Sequence, residues 1–129
     1  MRYLLDTNVW LWLQTAPDRL SEETFARLAD HEATVLLSAV SSWEIAVKWA
    51  LGKLPLPEAP STYIPSRMRH DAVDGLPITH VHTLHVATLP HHHRDPFDRL
   101  LVAQAQIEGV LLVTADSQIT RYDVDVLPA

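Results

Sequence analysis

Four carboxylates are set apart by what precedes or surrounds them. Asp6 follows the apolar run Arg2–Leu5 directly, and Asp116 follows the run Val110–Thr114 after Ala115 alone. Such runs read as strands, and in open parallel sheets ligand sites form at the carboxyl ends of the strands. Glu44 shares a helical face with Val40, Val47 and Leu51, and Asp98 shares one with Leu101, Val102 and Ala105. Each acid thus sits in a stripe patterned for burial, where a charge requires a partner. Taken singly, each has a structural reading: a turn or cap for the aspartates, and an ion pair or a favourable helix-dipole position for Glu44. Taken together they converge on one rim, and like charges in a partly dry cleft raise one another's pKa until a cation or proton intervenes. Oxygen ligands select Mg²⁺ or Mn²⁺. Such ions bind a phosphate oxygen, lower the pKa of a water and stabilise a leaving oxygen, so phosphodiester hydrolysis is the reaction class these residues predict. The chain has no cysteine, which excludes a thiol nucleophile, an iron–sulfur cluster, a cysteine-ligated zinc and any disulfide.

The elements that must position these acids can be read from periodicity and caps. Arg2–Leu5 is a first strand, and Val9, Trp12 and Leu13 have helical spacing within residues 8–14. Ser21, followed by Glu22 and Glu23, caps a helix to about Asp30, and Thr34–Leu37 is a second strand. A helix over Ala39–Leu51 stops at Gly52, and another covers Ser61 to about His70. Leu76–Ile78 reads as a short strand, after which Thr79 caps a helix ending before Pro90. Asp95–Pro96 is a strong helix start and Gly109 its matching stop. Val110–Thr114 and Val124–Leu127 complete the strands. Strands alternating with helices predict an α/β fold with a central parallel sheet covered on both faces.

The 129 residues, 47% of them hydrophobic, contain no repeat or long linker, so residues 1–129 are expected to form one domain. Ten Lys and Arg against sixteen Asp and Glu give a net charge of -6, which argues against coating nucleic acid by bulk electrostatics. It leaves open an enzyme that meets nucleic acid through metal ions, and Arg94 and Arg99 flank Asp95 and Asp98. No apolar run approaches the roughly 20 residues of a membrane span, and the opening strand-like segment lacks a signal-peptide core, so a cytoplasmic location without membrane contact is expected. The histidine-rich stretch 80–93 invites a transition-metal reading, since His82 and His85 are three apart. No carboxylate or cysteine completes a ligand pattern, so these histidines are expected to be solvated. Trp10, Trp12, Trp43 and Trp49 are expected mainly in the core, with any exposed indole an anchor for a protein partner.

Several segments carry a family resemblance: Leu5-Asp6-Thr7-Asn8, Ser41-Ser42-Trp43-Glu44-Ile45-Ala46, the long run from His93 to Ala105, and Thr114-Ala115-Asp116. The chain resembles the PIN domain, and within it the VapC-type ribonuclease toxins of bacterial toxin–antitoxin pairs. That resemblance implies a three-layer α/β/α sandwich around a parallel sheet of four to five short strands. It implies that Asp6, Glu44, Asp98 and Asp116 form an acidic quartet binding Mg²⁺ or Mn²⁺, with Asp95 as an auxiliary acid. Arg94 and Arg99 become candidates for RNA phosphate contact, and Thr7 and Thr114 candidates for holding acids or waters through their hydroxyls. His93 would border the cleft. The implied activity is endoribonucleolytic hydrolysis leaving a 3′-hydroxyl and a 5′-phosphate, and the implied partners are a cognate antitoxin and a second copy of the chain. Asn8 stands where this subgroup often has histidine, so no histidine role transfers to that position. Two other readings remain: a catalytically silent PIN-like scaffold binding RNA or protein, and a different Mg²⁺-dependent phosphohydrolase.

Overall fold

A hydrogen-bond ladder between four-residue segments at opposite ends of the chain organises the fold. The computed structural model describes all 129 residues. Its elements run β1 (Arg2–Leu5), α1 (Thr7–Thr15), α2 (Glu22–Ala29), β2 (Thr34–Ser38), α3 (Ala39–Ala50), α4 (Pro60–His70), β3 (Asp74–Leu76), α5 (His80–His85), α6 (Pro96–Glu108), β4 (Leu111–Thr114) and β5 (Val126–Pro128). The strands form one sheet in the order β3-β2-β1-β4-β5, and every pairing is parallel. β1 lies at the centre, with Leu5 opposite Leu37 of β2 and Val113 of β4. Strand order reverses there, so the crevice beyond the ends of β1 and β4 is the topological switch point at which such sheets place ligands.

Side chains alternate across the pleat. Leu4, Leu36 and Leu112 pack on one face with Leu101, Val102 and Ala105 of α6. Tyr3, Leu5, Val35, Leu37 and Val113 pack on the other with Val9 and Trp10 of α1 and Tyr63 and Ile64 of α4. This is the expected α/β/α sandwich. α6 is buried continuously from Arg99 to Ala105 and stops at Gly109, whose left-handed backbone (φ 65°) reverses the chain into β4.

Three local expectations are corrected. β3 spans Asp74–Leu76 instead of Leu76–Ile78, because its register on β2 places Leu76 opposite Ser38 and Pro77, lacking an N–H, cannot extend the ladder. The helix expected to reach Pro90 is α-helical only to His85, followed by a 3₁₀ turn over Val86–Thr88. In α3, Val40 and Glu44 are buried, but Val47 is exposed, as is Leu51 just past the helix end. The inward face of α3 instead holds Val40, Ser41, Glu44 and Ile45, so the apolar stripe continues past the body of the protein.

The start of α3 is held by a buried polar relay. The Ser38 hydroxyl accepts from the Val40 N–H at 3.0 Å and donates to Gln104 Oε1 at 2.5 Å. Gln104 Nε2 donates to Pro77 O at 3.2 Å and lies 3.3 Å from His82 Nδ1. His82 is buried, and its Nδ1 accepts from the Thr79 N–H, which leaves Nε2 to donate to Glu108 Oε2 at 3.2 Å. His85 Nε2 likewise meets Gln106 Oε1 at 2.6 Å. The expectation of solvated histidines therefore fails for these two, whose ring nitrogens serve the packing of α5 on α6. Gln104 is 0% exposed, so Gln104→Leu strands the Pro77 carbonyl and the Ser38 hydroxyl. Urea unfolding should show a loss of about 1–3 kcal/mol.

Candidate active site

Asp6 is both the first residue beyond β1 and the N-cap of α1. Its Oδ1 accepts from the Val9 N–H at 2.7 Å, and its N–H donates to Val113 O at 3.0 Å, fixing the carboxylate beside β4. Its Oδ2 accepts a short hydrogen bond from the Thr114 hydroxyl, which in turn accepts from the Asp116 N–H at 3.0 Å. Thr114 thereby ties together the two acids that follow the central strands. Burial pushes the Asp6 carboxyl above its ordinary range; the Thr114 and Val9 hydrogen bonds oppose this, and Asp116 and Glu44 add to it.

Asp116 Oδ1 accepts from the Gln118 N–H at 2.8 Å, and its Oδ2 faces His93 Nε2 at 2.8 Å. His93 Nε2 also lies 3.1 Å from Asp98 Oδ2, so one imidazole nitrogen bridges two acids. The ring is oriented from behind: Nδ1 accepts from the Asp95 N–H at 3.1 Å, leaving the proton of the neutral ring on Nε2, between the carboxylates. The candidate ligand atoms of His93, Asp98 and Asp116 all lie within 4.8 Å of one another. Asp98 is pushed up to about 7, first by burial and then by Asp95, Glu44 and Asp6, with His93 acting against them.

Glu44 projects inward from α3 and is only 5% exposed. Its Oε2 accepts from Lys48 Nζ at 2.5 Å, one helical turn away, while its Oε1 is buried without a hydrogen-bond partner. Glu44 raises both Asp6 and Asp98, which places its charge with theirs. The four predicted acids are thus brought together at the switch point. An unpartnered buried carboxylate oxygen among neighbouring acids is the arrangement a cation satisfies, and the oxygen-rich donor set with one imidazole suits Mg²⁺ or Mn²⁺.

The remaining candidates separate. Asp95 caps α6, accepting from the N–H groups of Phe97 at 2.8 Å and Asp98 at 3.3 Å, and acts on the site through its charge. Arg94 is exposed beside it. Arg99 is a correction: it is 9% exposed and donates to Pro90 O, Val86 O and the Tyr122 hydroxyl, so its guanidinium braces the loop before α6 and is not free for phosphate. Thr7 is another, since its hydroxyl donates to Ser41 Oγ at 2.9 Å and joins α1 to α3 without touching an acid. Lys48 was missed by sequence reasoning, although Glu44 and Lys48 form an i,i+4 pair visible in the sequence. The bridging position of His93 had no such signal, because it depends on the Asp95 backbone and on Asp116 arriving from β4.

A family model of the PIN domain matches residues 3–125. The chain belongs to the PIN domain family. Ribonuclease VapC16 of Mycobacterium tuberculosis (strain ATCC 25618 / H37Rv) is 48% identical over 63 residues, which is 49% of this chain and 45% of that protein, so the match spans less than half of the relative. Among solved structures, this PIN domain is similar to VapBC2 from Rickettsia felis bound to a promoter DNA fragment (TM-score 0.75, 16% identity, 100% and 99% of the two chains). It is also similar to VapBC-1 from nontypeable Haemophilus influenzae (TM-score 0.68, 20% identity, 99% and 98%) and to FitAcB from Neisseria gonorrhoeae (TM-score 0.63, 18% identity, 97% and 96%). At these identities the likeness to the solved structures establishes the fold.

The raised carboxyls make this PIN domain's stability depend on pH with a definite sign. Asp98 holds its proton to about 7 when folded and to the ordinary carboxylate range when unfolded. The folded state therefore binds more protons between those values, and the contribution of Asp98 to stability falls as pH rises through that window. Asp6 has the same sign. Metal-free protein should lose melting temperature from pH 5 to pH 7.5, and Asp98→Asn should flatten that slope and melt higher than wild type at the upper end.

Proposed function

We propose that this PIN domain is a divalent-metal-dependent endoribonuclease, the toxin half of a type II toxin–antitoxin pair. The observation that carries the reading is the meeting of Asp6, Glu44, Asp98 and Asp116 at the switch point with one buried carboxylate oxygen of Glu44 left unpartnered. These residues would hold Mg²⁺ or Mn²⁺, and a bound ion supplies Lewis-acid polarisation of a phosphoryl oxygen and a water of lowered pKa. The protein's own part is positional and electrostatic. Thr114 and the Val9 N–H aim Asp6, and the Asp95 N–H turns His93 toward Asp98 and Asp116. Arg94, exposed and next to Asp95 in the chain, would meet substrate phosphate. A water oxygen attacks phosphorus, the bond to the 3′ oxygen breaks, and the products are a 3′-hydroxyl and a 5′-phosphate. The 48% identical segment of a protein named a ribonuclease supports RNA as the substrate.

Inhibition by a cognate antitoxin is part of the same reading, supported by the VapBC structures among its neighbours. So is homodimerisation. Trp43 and Val47 of α3 and Leu51 at its C-cap form an exposed apolar row, and Val81 and Leu84 are exposed on α5, a distribution suited to a second copy. No helix is long and apolar enough to cross a membrane, and a cytoplasmic location accords with an RNA substrate. A silent scaffold would be favoured by loss of an acid, and all four are present.

Purified protein incubated with RNA should cleave in Mg²⁺ or Mn²⁺ and stop in EDTA. Asp98→Asn should lower cleavage by more than the roughly 10- to 100-fold typical of groups that only support a metal ligand, while retaining a cooperative melt. Undiminished cleavage by Asp98→Asn, or cleavage indifferent to EDTA, would overturn the assignment.

A further inference from the structure

The acids at the switch point are balanced from two sides. On the Asp98 and Asp116 side the balancing group is the Nε2 proton of His93. On the Glu44 side it is Lys48, whose ammonium lies 2.5 Å from Oε2. Three observations make this second contact unlike a structural ion pair. The ammonium satisfies one carboxylate oxygen only, and the other is buried with no donor. The partners differ sharply in exposure, at 45% for the Lys48 side chain and 6% for Glu44, so Lys48 can return to water and Glu44 cannot. The cation is also a point charge on a flexible stem, where a permanent clamp on a carboxylate favours the two-pronged arginine fork. Glu44 acts on the ammonium most strongly, and Asp95 and Asp98 attract it as well.

We propose that Lys48 is an exchangeable internal cation: it neutralises Glu44 while the site is metal-free, yields the carboxylate to an incoming divalent ion, and then offers its ammonium to an RNA phosphate at the mouth of the cleft. This rests on the reading that the acidic quartet takes up a divalent cation. Exchange lets a dry cluster of acids fold before metal arrives and supplies a positive charge to the substrate only once the site is loaded.

The exchange has a sign that a positioning role does not share. If Lys48 competes with metal, removing its charge tightens metal binding; if it orients Glu44 for the metal, removing it weakens binding. Mn²⁺ titration calorimetry on the metal-free full chain, at fixed pH and ionic strength, separates the two. Lys48→Met keeps the length of the stem and should bind Mn²⁺ about fivefold more tightly than wild type. Arg94→Met, which removes an equal charge at the rim without touching an acid, should stay within about twofold of wild type. Lys48→Arg, whose fork can grip both Glu44 oxygens, should bind metal more weakly than wild type and provides a second test if Lys48→Met fails to fold. At saturating metal, Lys48→Met should raise the KM for RNA several-fold while kcat stays within about twofold. Metal affinity in Lys48→Met equal to or below that of wild type overturns the exchange, and an unchanged KM overturns the phosphate contact. Wild type and Asp98→Asn binding Mn²⁺ equally, or not at all, would instead remove the quartet reading on which the proposal stands.

Discussion

Mutual repulsion among carboxylates in a half-dry crevice is the constraint that the rest of this structure serves. Water would screen such charges, but the sandwich that brings them together also excludes it. Every acid is therefore answered locally and by a different device. Asp6 takes an amide and a hydroxyl, Asp116 an amide and an imidazole, Glu44 an ammonium, and Asp98 retains its proton toward neutrality. Beside the two fixed amides, these compensations are a proton, a hydroxyl, an imidazole and an ammonium on a half-exposed side chain. None is a rigid buried arginine, although Arg99 lies next to Asp98 in the chain and spends its donors on loop carbonyls and Tyr122 instead. With no guanidinium locked onto them, the acids keep an electrostatic demand that a hard cation would meet without dismantling the framework.

That framework depends on the centre of the sheet. β1 pairs with β2 on one side and β4 on the other, so the chain's first strand is enclosed by segments that follow it at short and long range. α3 enters directly from β2 with no intervening loop, and its first turn is fixed by the Ser38–Gln104 contact to α6. The helices bearing Glu44 and Asp98 are thus joined through a buried polar bond as well as through apolar packing. The cost of burying Ser38, Gln104 and His82 is offset because each finds a partner.

Much of this was legible in the sequence because local chemistry and global fold agree. The caps at Ser21, Thr79 and Asp95, the stop at Gly109 and the apolar runs of β1, β2 and β4 all act within a few residues of themselves. The acids were legible for a related reason, since a strand end or an interrupted stripe marks them. What escaped was set by distant neighbours. Val47 and Leu51 fit the periodicity of a buried face, yet α3 extends beyond anything that covers them. Arg99 has the charge of a phosphate ligand, and only the arrival of Tyr122 and the Val86–Pro90 turn shows where its hydrogen bonds go. β3 slipped by two residues because strand pairing, and not apolar content, chose its register. His82 carries no local sign of being buried beside Glu108.

The bond from Thr114 to Asp6 spans 108 positions of sequence, and this has a consequence for the protein during its own synthesis. A ribosome that has made β1, α3 and α6 has already produced Asp6, Glu44 and Asp98, but β4 has not yet emerged to set Asp6 or to deliver Asp116. Long-range parallel pairing forms late because the intervening chain must first be ordered. Asp116 and the hydroxyl that aims Asp6 therefore arrive together, after the other three acids have been made. Topology alone thus keeps the four carboxylates from meeting until the partner strand that completes the sheet's centre has been made.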